Sequence, residues 1–335
     1  MPKKVLIIYT GGTIGMMQEQ VSRALVPVNF KSISEQIPEL KELNCKIDFH
    51  SSHKPIDSSN VHPFAWEELA TIIEKKYKAY DGFVILHGTD TMAYTASALS
   101  FMLKNLGKPV ILTGSQLPLG VIRTDAKRNL ITTIEIVAAK EVVPEVCIYF
   151  NSQLFRGNKA EKFTSSKFDA FHSLNYPMLA EAGVNIVYNP KAIRKQHAGK
   201  FHVERGFNSN VVIVKLFPGI KPSIFSSIAS AKGLQGIVLE TFGSGNAPSD
   251  SKFLSAIEEA IKKGIVIVNI SQCSGGSVNQ GKYETSVQLK KLGVVSGSNM
   301  TTEAAITKLM FLLDKKHSIK KVKELMGKDL AGEMG

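Results

Sequence analysis

The sequence has few of the features that mark secreted, membrane-spanning or metal-binding proteins. Its 335 residues include three cysteines, Cys45, Cys147 and Cys273, which are far apart and match no metal-ligand spacing. An odd, dispersed set of thiols indicates no disulfide framework and favours a reducing, cytoplasmic compartment. No apolar run approaches the roughly 20 residues of a membrane-spanning helix. The apolar run that follows Lys4 is also shorter than the roughly 7–15 residues of a signal-peptide core.

Motifs for phosphate and metal binding are also missing. There is no Gly-x4-Gly-Lys-Ser/Thr sequence, and residues 11–15 lack the Gly-x-Gly-x-x-Gly pattern of dinucleotide-binding proteins. The histidines at positions 50, 53, 62 and 87, together with Asp90, match no helical metal-ligand spacing. We therefore expect neither a nucleotide-phosphate site nor a metal site.

The chain is basic, but its positive charge is not arranged for nucleic-acid binding. It has 41 Lys and Arg against 29 Asp and Glu, a formal net charge of +12. The lysines are dispersed over predicted helix surfaces, as at Lys75-Lys76 and Lys262-Lys263, and no run interleaves aromatic with basic residues for base stacking. We expect the charge to favour solubility and mild attraction of anionic substrates, with neither a nucleic acid nor a membrane as partner.

What the sequence does contain is a regular alternation of apolar strands and amphipathic helices. This alternation predicts an α/β fold with a larger N-terminal, doubly wound, mostly parallel sheet domain and a smaller C-terminal α/β domain. The predicted ranges are 1–188 for the N-terminal catalytic domain, 189–210 for a polar linker that could hold a hairpin, and 211–335 for the C-terminal domain. The predicted strands of the first domain are Val5–Tyr9, Lys46–His50, Phe83–His87, Val110–Thr113 and Val146–Phe150.

Two Gly-rich, hydroxyl-rich segments follow predicted strands, at Thr10–Gly15 and at His87–Thr91. Ligands collect at the carboxyl ends of strands in such sheets. Thr13 is a candidate nucleophile that would need a base to take its proton, and it could equally be an inert turn residue. Thr89 and Asp90 could handle a proton and bind an ammonium group, or they could be ordinary helix N-cap residues.

Two further polar turns could border the same site. Asp57, Ser58 and Ser59 could bind a carboxylate through hydroxyl and backbone N–H groups, although alone they read as an ordinary loop. The turn at Gly114-Ser115-Gln116 also follows a predicted strand and is no more specific by itself.

Taken together, these motifs resemble the bacterial-type L-asparaginase family, in its cytoplasmic type I branch. The two signatures appear as Tyr9–Gly15 and Asp81–Met92, and at this separation they are very specific. The resemblance covers essentially the whole chain. Further similarity lies in Asp57–Ser59, Leu112–Gln116, Arg156–Lys162, Ser173–Pro177, Gly245–Pro248 and Gln272-Cys273.

The resemblance implies hydrolysis of L-asparagine to L-aspartate and ammonia through an acyl-enzyme, without a cofactor. It implies that Thr13 is the primary nucleophile, with Thr89 as first nucleophile an open alternative. Thr89, Asp90 and Lys162 resemble a second hydroxyl–carboxylate–lysine triad, in which Lys162 must be neutral to act as a base.

The same resemblance implies the substrate contacts. Asp90 would bind the α-ammonium group and Ser58 the α-carboxylate, while Ser59 takes the place of a polar contact near the ammonium. Asp57 belongs to the same substrate-binding set, and Ser115 occupies the position of a small residue close to the side-chain amide.

The sequence departs from the family pattern in the loop after the first signature. Many members carry a tyrosine there that contacts the nucleophile, whereas this chain has Leu25 near that place. Tyr283 is a possible substitute from the second domain or from a neighbouring subunit, and it could equally be a surface turn residue. Family members resemble one another in forming dimers or dimers of dimers, so we expect a homodimer or homotetramer in which Asn246 and Tyr283 contribute across the interface.

Two other functions remain open from the sequence. An asparaginase-like subunit of a tRNA-dependent amidotransferase would share the chemistry, but such subunits carry additional sequence before the first signature. A non-enzymatic amino-acid-binding protein would suit the missing tyrosine, but it would not need Thr13, Thr89, Asp90 and Lys162 together.

Overall fold

The computed structural model describes residues 2–18, 25–27, 37–51, 55–281 and 284–335. Two compact units divide the chain, Met1–Glu204 and Arg205–Gly335. The division falls within the segment predicted as a linker. A short strand there, His202–Val203, pairs with Leu103–Lys104 of the first unit rather than with another part of the linker segment.

The first unit contains most of the strands. Its strands are β1 Lys3–Tyr9, β2 Met16–Gln18, β3 Leu25–Pro27, β4 Cys45–Ser51, β5 Gly82–Leu86, β6 Leu103–Lys104, β7 Val110–Thr113, β8 Val146–Phe150, β9 Gln153–Arg156, β10 Glu161–Lys162, β11 Phe171–His172, β12 Ala180–Ala182, β13 Ile186–Tyr188 and β14 His202–Val203. Its α-helices are α1 Pro63–Lys76, α2 Met92–Met102 and α3 Ala126–Ala138.

An eight-stranded mixed sheet forms the centre of this unit, in the order β13-β12-β9-β8-β7-β5-β1-β4. Five neighbouring strands pair in parallel, in the spatial order β4, β1, β5, β7 and β8, and β9, β12 and β13 extend the sheet antiparallel. Every residue of β5, β7 and β8 is buried, as expected for parallel strands covered on both faces. This burial explains why these strands are continuous apolar runs in the sequence.

The second unit is a smaller α/β domain with a parallel sheet in the order β15-β16-β17-β18. The elements are β15 Val211–Lys215, α4 Pro222–Ala229, β16 Gly236–Thr241, α5 Ser251–Lys262, β17 Val266–Ser271, α6 Glu284–Leu292, β18 Val295–Ser296, α7 Thr302–Asp314 and α8 Ile319–Met326. The predicted α/β class with a larger first and a smaller second domain is confirmed.

A buried ion pair joins α7 to the C-terminal segment of this second unit. Lys308 Nζ lies 2.6 Å from Glu333 Oε1, and both side chains are fully buried. The carboxylate of Glu333 also accepts hydrogen bonds from the backbone N–H groups of Leu330 and Ala331. Burial lowers the pKa of Lys308, and the attraction of Glu333 acts in the opposite direction.

Within the described residues, no helix combines the length and apolar character needed to cross a bilayer.

Candidate functional site

Four neighbouring strands of the large sheet end at the segments that the sequence singled out. In spatial order, β4, β1, β5 and β7 lead to the turns that carry Ser58, Thr13, Thr89 and Ser115. Because these strands run parallel, all four turns emerge at the same edge of the sheet. The fold therefore gathers four hydroxyl-bearing residues from distant parts of the chain.

Glycines allow the turn after β1 to touch the turn after β5. Gly12 has a φ of +85°, and a methyl group built on it would lie 2.4 Å from the Gly88 nitrogen. Thr10 is held on both sides, since its N–H donates to Leu86 and its carbonyl oxygen accepts from Ile56. Thr13 and Thr89 each come one residue after a contacting glycine, so the contact brings both threonines into one neighbourhood.

Ser58 lies against the same glycine. A methyl group on Gly88 would lie 2.6 Å from Ser58 Oγ, and the Thr91 hydroxyl donates to the Ser58 carbonyl oxygen at 2.8 Å. Asp57 caps this turn by accepting from the Ser59 N–H at 2.9 Å and from the Ser59 hydroxyl at 2.8 Å. The backbone and side-chain hydrogen bonds from Ser59 lower the pKa of Asp57.

Lys162 reaches this neighbourhood from the short hairpin of β10 and β11. Its Nζ donates to Thr89 Oγ1 at 2.7 Å and to Asp90 Oδ1 at 2.6 Å. The Lys162 side chain is 15% exposed, whereas that of Asp90 is 66% exposed. The predicted hydroxyl–carboxylate–lysine set is therefore in direct contact, with its carboxylate open to a solvent-borne ligand.

The turn after β7 completes the cluster. A methyl group on Gly114 would lie 2.6 Å from the His87 carbonyl oxygen and 3.4 Å from Thr89 Cγ2. Ser115 is 2% exposed, and its hydroxyl donates to the Leu117 carbonyl oxygen at 2.6 Å. The Ser115 hydroxyl hydrogen is thus already engaged within the turn.

His87 is a buried residue behind the site rather than a ligand within it. Its Nδ1 lies 2.7 Å from the Gly88 carbonyl oxygen, and its Nε2 lies 3.0 Å from Thr95 Oγ1, which also accepts from Trp66 Nε1. Burial lowers the pKa of His87. A neutral ring that donates from Nδ1 to Gly88 and accepts at Nε2 from Thr95 satisfies every partner.

Asp125 and Asn129, at the start of α3, were not among the predicted site residues. The Asp125 carboxylate accepts from the N–H groups of Gln116 and Leu117, and Asn129 donates to the Gly114 carbonyl oxygen. Their local sequence carries no sign of contact with a turn that lies eight or more residues earlier in the chain.

The remaining predicted residues lie elsewhere or outside the described residues. Leu25 begins β3, which pairs antiparallel with β2. Asn246 lies in the second unit, in a turn where its N–H and carbonyl groups both bond to Phe242 at 2.9 Å. Tyr283 is outside the described residues. In the parts of the chain that the structure describes, no three His, Cys, Asp or Glu residues cluster as a metal site.

Comparison with known proteins identifies the family. Residues 4–194 match the model "Asparaginase, N-terminal", and residues 210–326 match "Glutaminase/Asparaginase C-terminal domain". The chain belongs to the L-asparaginase family. The predicted family and enzyme class are thereby confirmed.

Several known L-asparaginases match this chain over nearly its full length. L-asparaginase 1 of Escherichia coli (strain K12) is 40% identical, over 99% of this chain and 98% of that protein. The crystal structure of L-asparaginase I from Vibrio cholerae is 39% identical, with a TM-score of 0.91 and full coverage of both chains. The probable cytoplasmic L-asparaginase of Campylobacter jejuni is 25% identical, with a TM-score of 0.80 over 98% of this chain and 100% of that one.

Proposed function

We propose that the protein hydrolyses L-asparagine to L-aspartate and ammonia through a threonine nucleophile and an acyl-enzyme. The observation that carries this proposal is the contact of Lys162 with both Thr89 and Asp90, next to the turn that holds Thr13. A hydroxyl needs an adjacent proton acceptor to become a nucleophile at neutral pH, and a lysine within hydrogen-bond distance can supply one when neutral.

In this proposal the substrate is held by its charged ends. The exposed Asp90 carboxylate binds the α-ammonium group, with Asp57 and Ser59 close to the same place, and Ser58 binds the α-carboxylate. The low pKa of Asp57 keeps this carboxyl ionised and able to attract the cation at neutral pH. The side-chain amide then lies between Thr13 and the turn that carries Ser115.

The chemical steps are a double displacement. Thr13 Oγ1 forms a bond to the amide carbon while its proton passes to the Thr89–Lys162 pair. The carbon–nitrogen bond then breaks, and the nitrogen takes that proton and leaves as ammonia. Water attacks the acyl-enzyme, gives one proton to the same pair, and releases aspartate as Thr13 recovers its hydrogen.

A backbone N–H can stabilise the oxyanion that forms in each step. Thr89 begins a 3-10 turn, and among the described residues its N–H donates to no other group. One such donor is worth about 3–4 kcal/mol of transition-state stabilisation in other enzymes.

Thr89 as the first nucleophile is the competing assignment, because Thr89 is the threonine that Lys162 touches directly. Rapid quenching of the reaction followed by mass spectrometry of peptides distinguishes the two. We expect the added acyl mass on the peptide containing Thr13. Its appearance on the peptide containing Thr89 would reverse the assignment.

Ammonia release from L-asparagine by the purified protein tests the function itself. We expect turnover that Thr13→Ala lowers by several orders of magnitude without loss of the folded circular dichroism spectrum, and Thr10→Ser serves as the control in the same turn. Asparagine binding without ammonia release would indicate an amino-acid-binding protein instead. Release that requires glutamyl-tRNA would indicate an amidotransferase subunit.

We also propose that the enzyme is a cytoplasmic homo-oligomer, a dimer or a tetramer. The separated thiols of Cys45, Cys147 and Cys273 are free, which suits a reducing compartment. Light scattering of the purified protein tests the assembly, and a monomeric mass under conditions that support turnover would contradict it.

A further inference from the structure

Asp125 immediately precedes α3, but its carboxylate does not cap that helix. It reaches back to the turn after β7, where Oδ1 accepts from the N–H groups of Gln116 and Leu117, both at 3.1 Å. Its Oδ2 lies 3.0 Å from the Gln116 nitrogen. Asp125 is 6% exposed. Its buried carboxylate therefore stabilises the backbone conformation of this turn.

Asn129 holds the same turn from one helical turn further along α3. Its Nδ2 donates to the Gly114 carbonyl oxygen at 3.0 Å and to Asp125 Oδ2 at 3.2 Å. Residues four apart on a helix lie on the same face, so these two side chains act together. Asn129 is fully buried, and its two acceptors fix which way its amide group faces.

These contacts determine the direction of the Ser115 carbonyl group. In a trans peptide the carbonyl of one residue points opposite to the N–H of the next. The Gln116 N–H points at Asp125, so the Ser115 carbonyl points away from α3. Among the described residues no hydrogen bond reaches the Ser115 carbonyl oxygen. An acceptor without a partner therefore lies one residue from Gly114, which packs against Thr89.

We propose that Asp125 and Asn129 are positioning residues that hold the Ser115 carbonyl oxygen as an acceptor for the substrate's side-chain NH₂ group. This inference rests on the proposed hydrolysis of asparagine and deepens it. An amide NH₂ donates to a carbonyl oxygen, whereas the carboxylate of aspartate has no hydrogen to donate and is repelled. The Asp125–Asn129 pair, by holding this carbonyl oxygen in place, thus favours binding of the substrate over the product.

The test compares the binding of asparagine with that of aspartate. In the Thr13→Ala background, which prevents turnover, calorimetry gives the Kd of each ligand. Asp125→Asn keeps one oxygen acceptor but turns an NH₂ group toward Asn129 Nδ2. Because an NH₂ group cannot accept that hydrogen bond, the turn at Ser115 is held less firmly. We expect the Kd for asparagine to rise at least tenfold and the Kd for aspartate to change by less than threefold.

Asp250→Asn is the matched control. Asp250 also directly precedes a helix, but its carboxylate accepts from the Phe253 N–H and caps α5. We expect it to leave both dissociation constants unchanged. If Asp125→Asn does not fold, Asn129→Ala removes the contact with Gly114 and should show the same selective loss of asparagine binding.

Equal weakening of both ligands, or no change in either, would overturn the inference, because a merely structural role predicts no selectivity. Absence of asparagine binding by the Thr13→Ala parent would overturn it as well. Failure of the proposed function is separate and is seen in the unmodified enzyme as lack of ammonia release.

Discussion

Gly12 and Gly88 pack backbone against backbone. A methyl group on Gly12 would lie 2.4 Å from the nitrogen and 2.5 Å from the Cα of Gly88. Contacts of that length are not sustained by real side chains, and the left-handed φ of Gly12 adds strain for any other residue. The absence of a side chain at position 12 is therefore what allows Thr13 to approach Thr89.

Gly12→Ala is expected to lower kcat/KM for asparagine at least a hundredfold, because the turn must move away from Gly88. Steady-state ammonia release measures this loss. Gly120→Ala is the control, since a methyl group on Gly120 meets no atom within 4 Å. Retention of normal activity by Gly12→Ala would show that the two turns need not touch during catalysis.

Lys162→Met is expected to reduce kcat by at least a hundredfold with little change in KM. The methionine keeps much of the side-chain volume but removes the contacts with Thr89 and Asp90. The matched control is Lys262→Met, which removes an exposed ion pair with Glu258. An effect confined to KM would contradict a role for Lys162 in proton transfer.

Glu333→Gln is expected to destabilise the second unit by about 3–5 kcal/mol, because it leaves the buried charge of Lys308 without its partner. The folded-state pKa of Lys308 is already lowered by burial and falls further in the variant. The unfolded chain then binds more protons, so the variant regains stability as the pH rises toward the unfolded pKa of lysine.

Thermal unfolding followed by circular dichroism at several pH values measures this change. Glu258→Gln, in an exposed pair with Lys262, should cost less than about 1 kcal/mol. A loss for Glu333→Gln no larger than that of the control would show that the buried pair contributes little.

The stability of the first unit is expected to depend on pH through His87. Burial lowers its folded-state pKa below 6.5, so below pH 6.5 the unfolded chain binds a proton that the folded one does not. The free energy of unfolding therefore decreases as the pH is lowered below 6.5, by at most about 1.4 kcal/mol per pH unit from this one group. The difference in the free energy of unfolding between the unmodified protein and His87→Gln should become smaller as the pH is lowered from 7.5 to 5.

Trp66 is the single tryptophan of the chain and lies in the first unit, so its fluorescence during urea unfolding reports on that unit. The exposed His62 provides the control substitution, His62→Gln. If the difference in the free energy of unfolding between the unmodified protein and His87→Gln stays constant over this pH range, the ring is protonated in the folded state as readily as in the unfolded one.

The parallel core was predictable because burial on both faces leaves an unbroken apolar run, as in Val110–Thr113, where the predicted and observed strands coincide. The strands from β9 to β13 were not predicted, because none of them contains an apolar run as long as that of Val110–Thr113. The helix Glu284–Leu292 was also missed.

The site was predictable only in part, and for a similar reason. Thr13 and Thr89 follow apolar strands, so topology alone places them at one edge of the sheet. Lys162 lies in a two-residue strand that local pattern does not reveal, and only the family resemblance singled it out. Asp125 contacts Gln116, nine residues before it, and no local sequence pattern reveals a contact between residues so far apart.

The candidate site is assembled from β10 and from the turns that follow β1, β4, β5 and β7, and its residues run from Thr13 to Lys162. Such contacts join remote segments, and they form only after the entropy of closing long loops has been overcome. No single peptide or half-formed sheet contains the complete site. During refolding, recovery of ammonia release would therefore report the joint assembly of all these segments, not the formation of any single one.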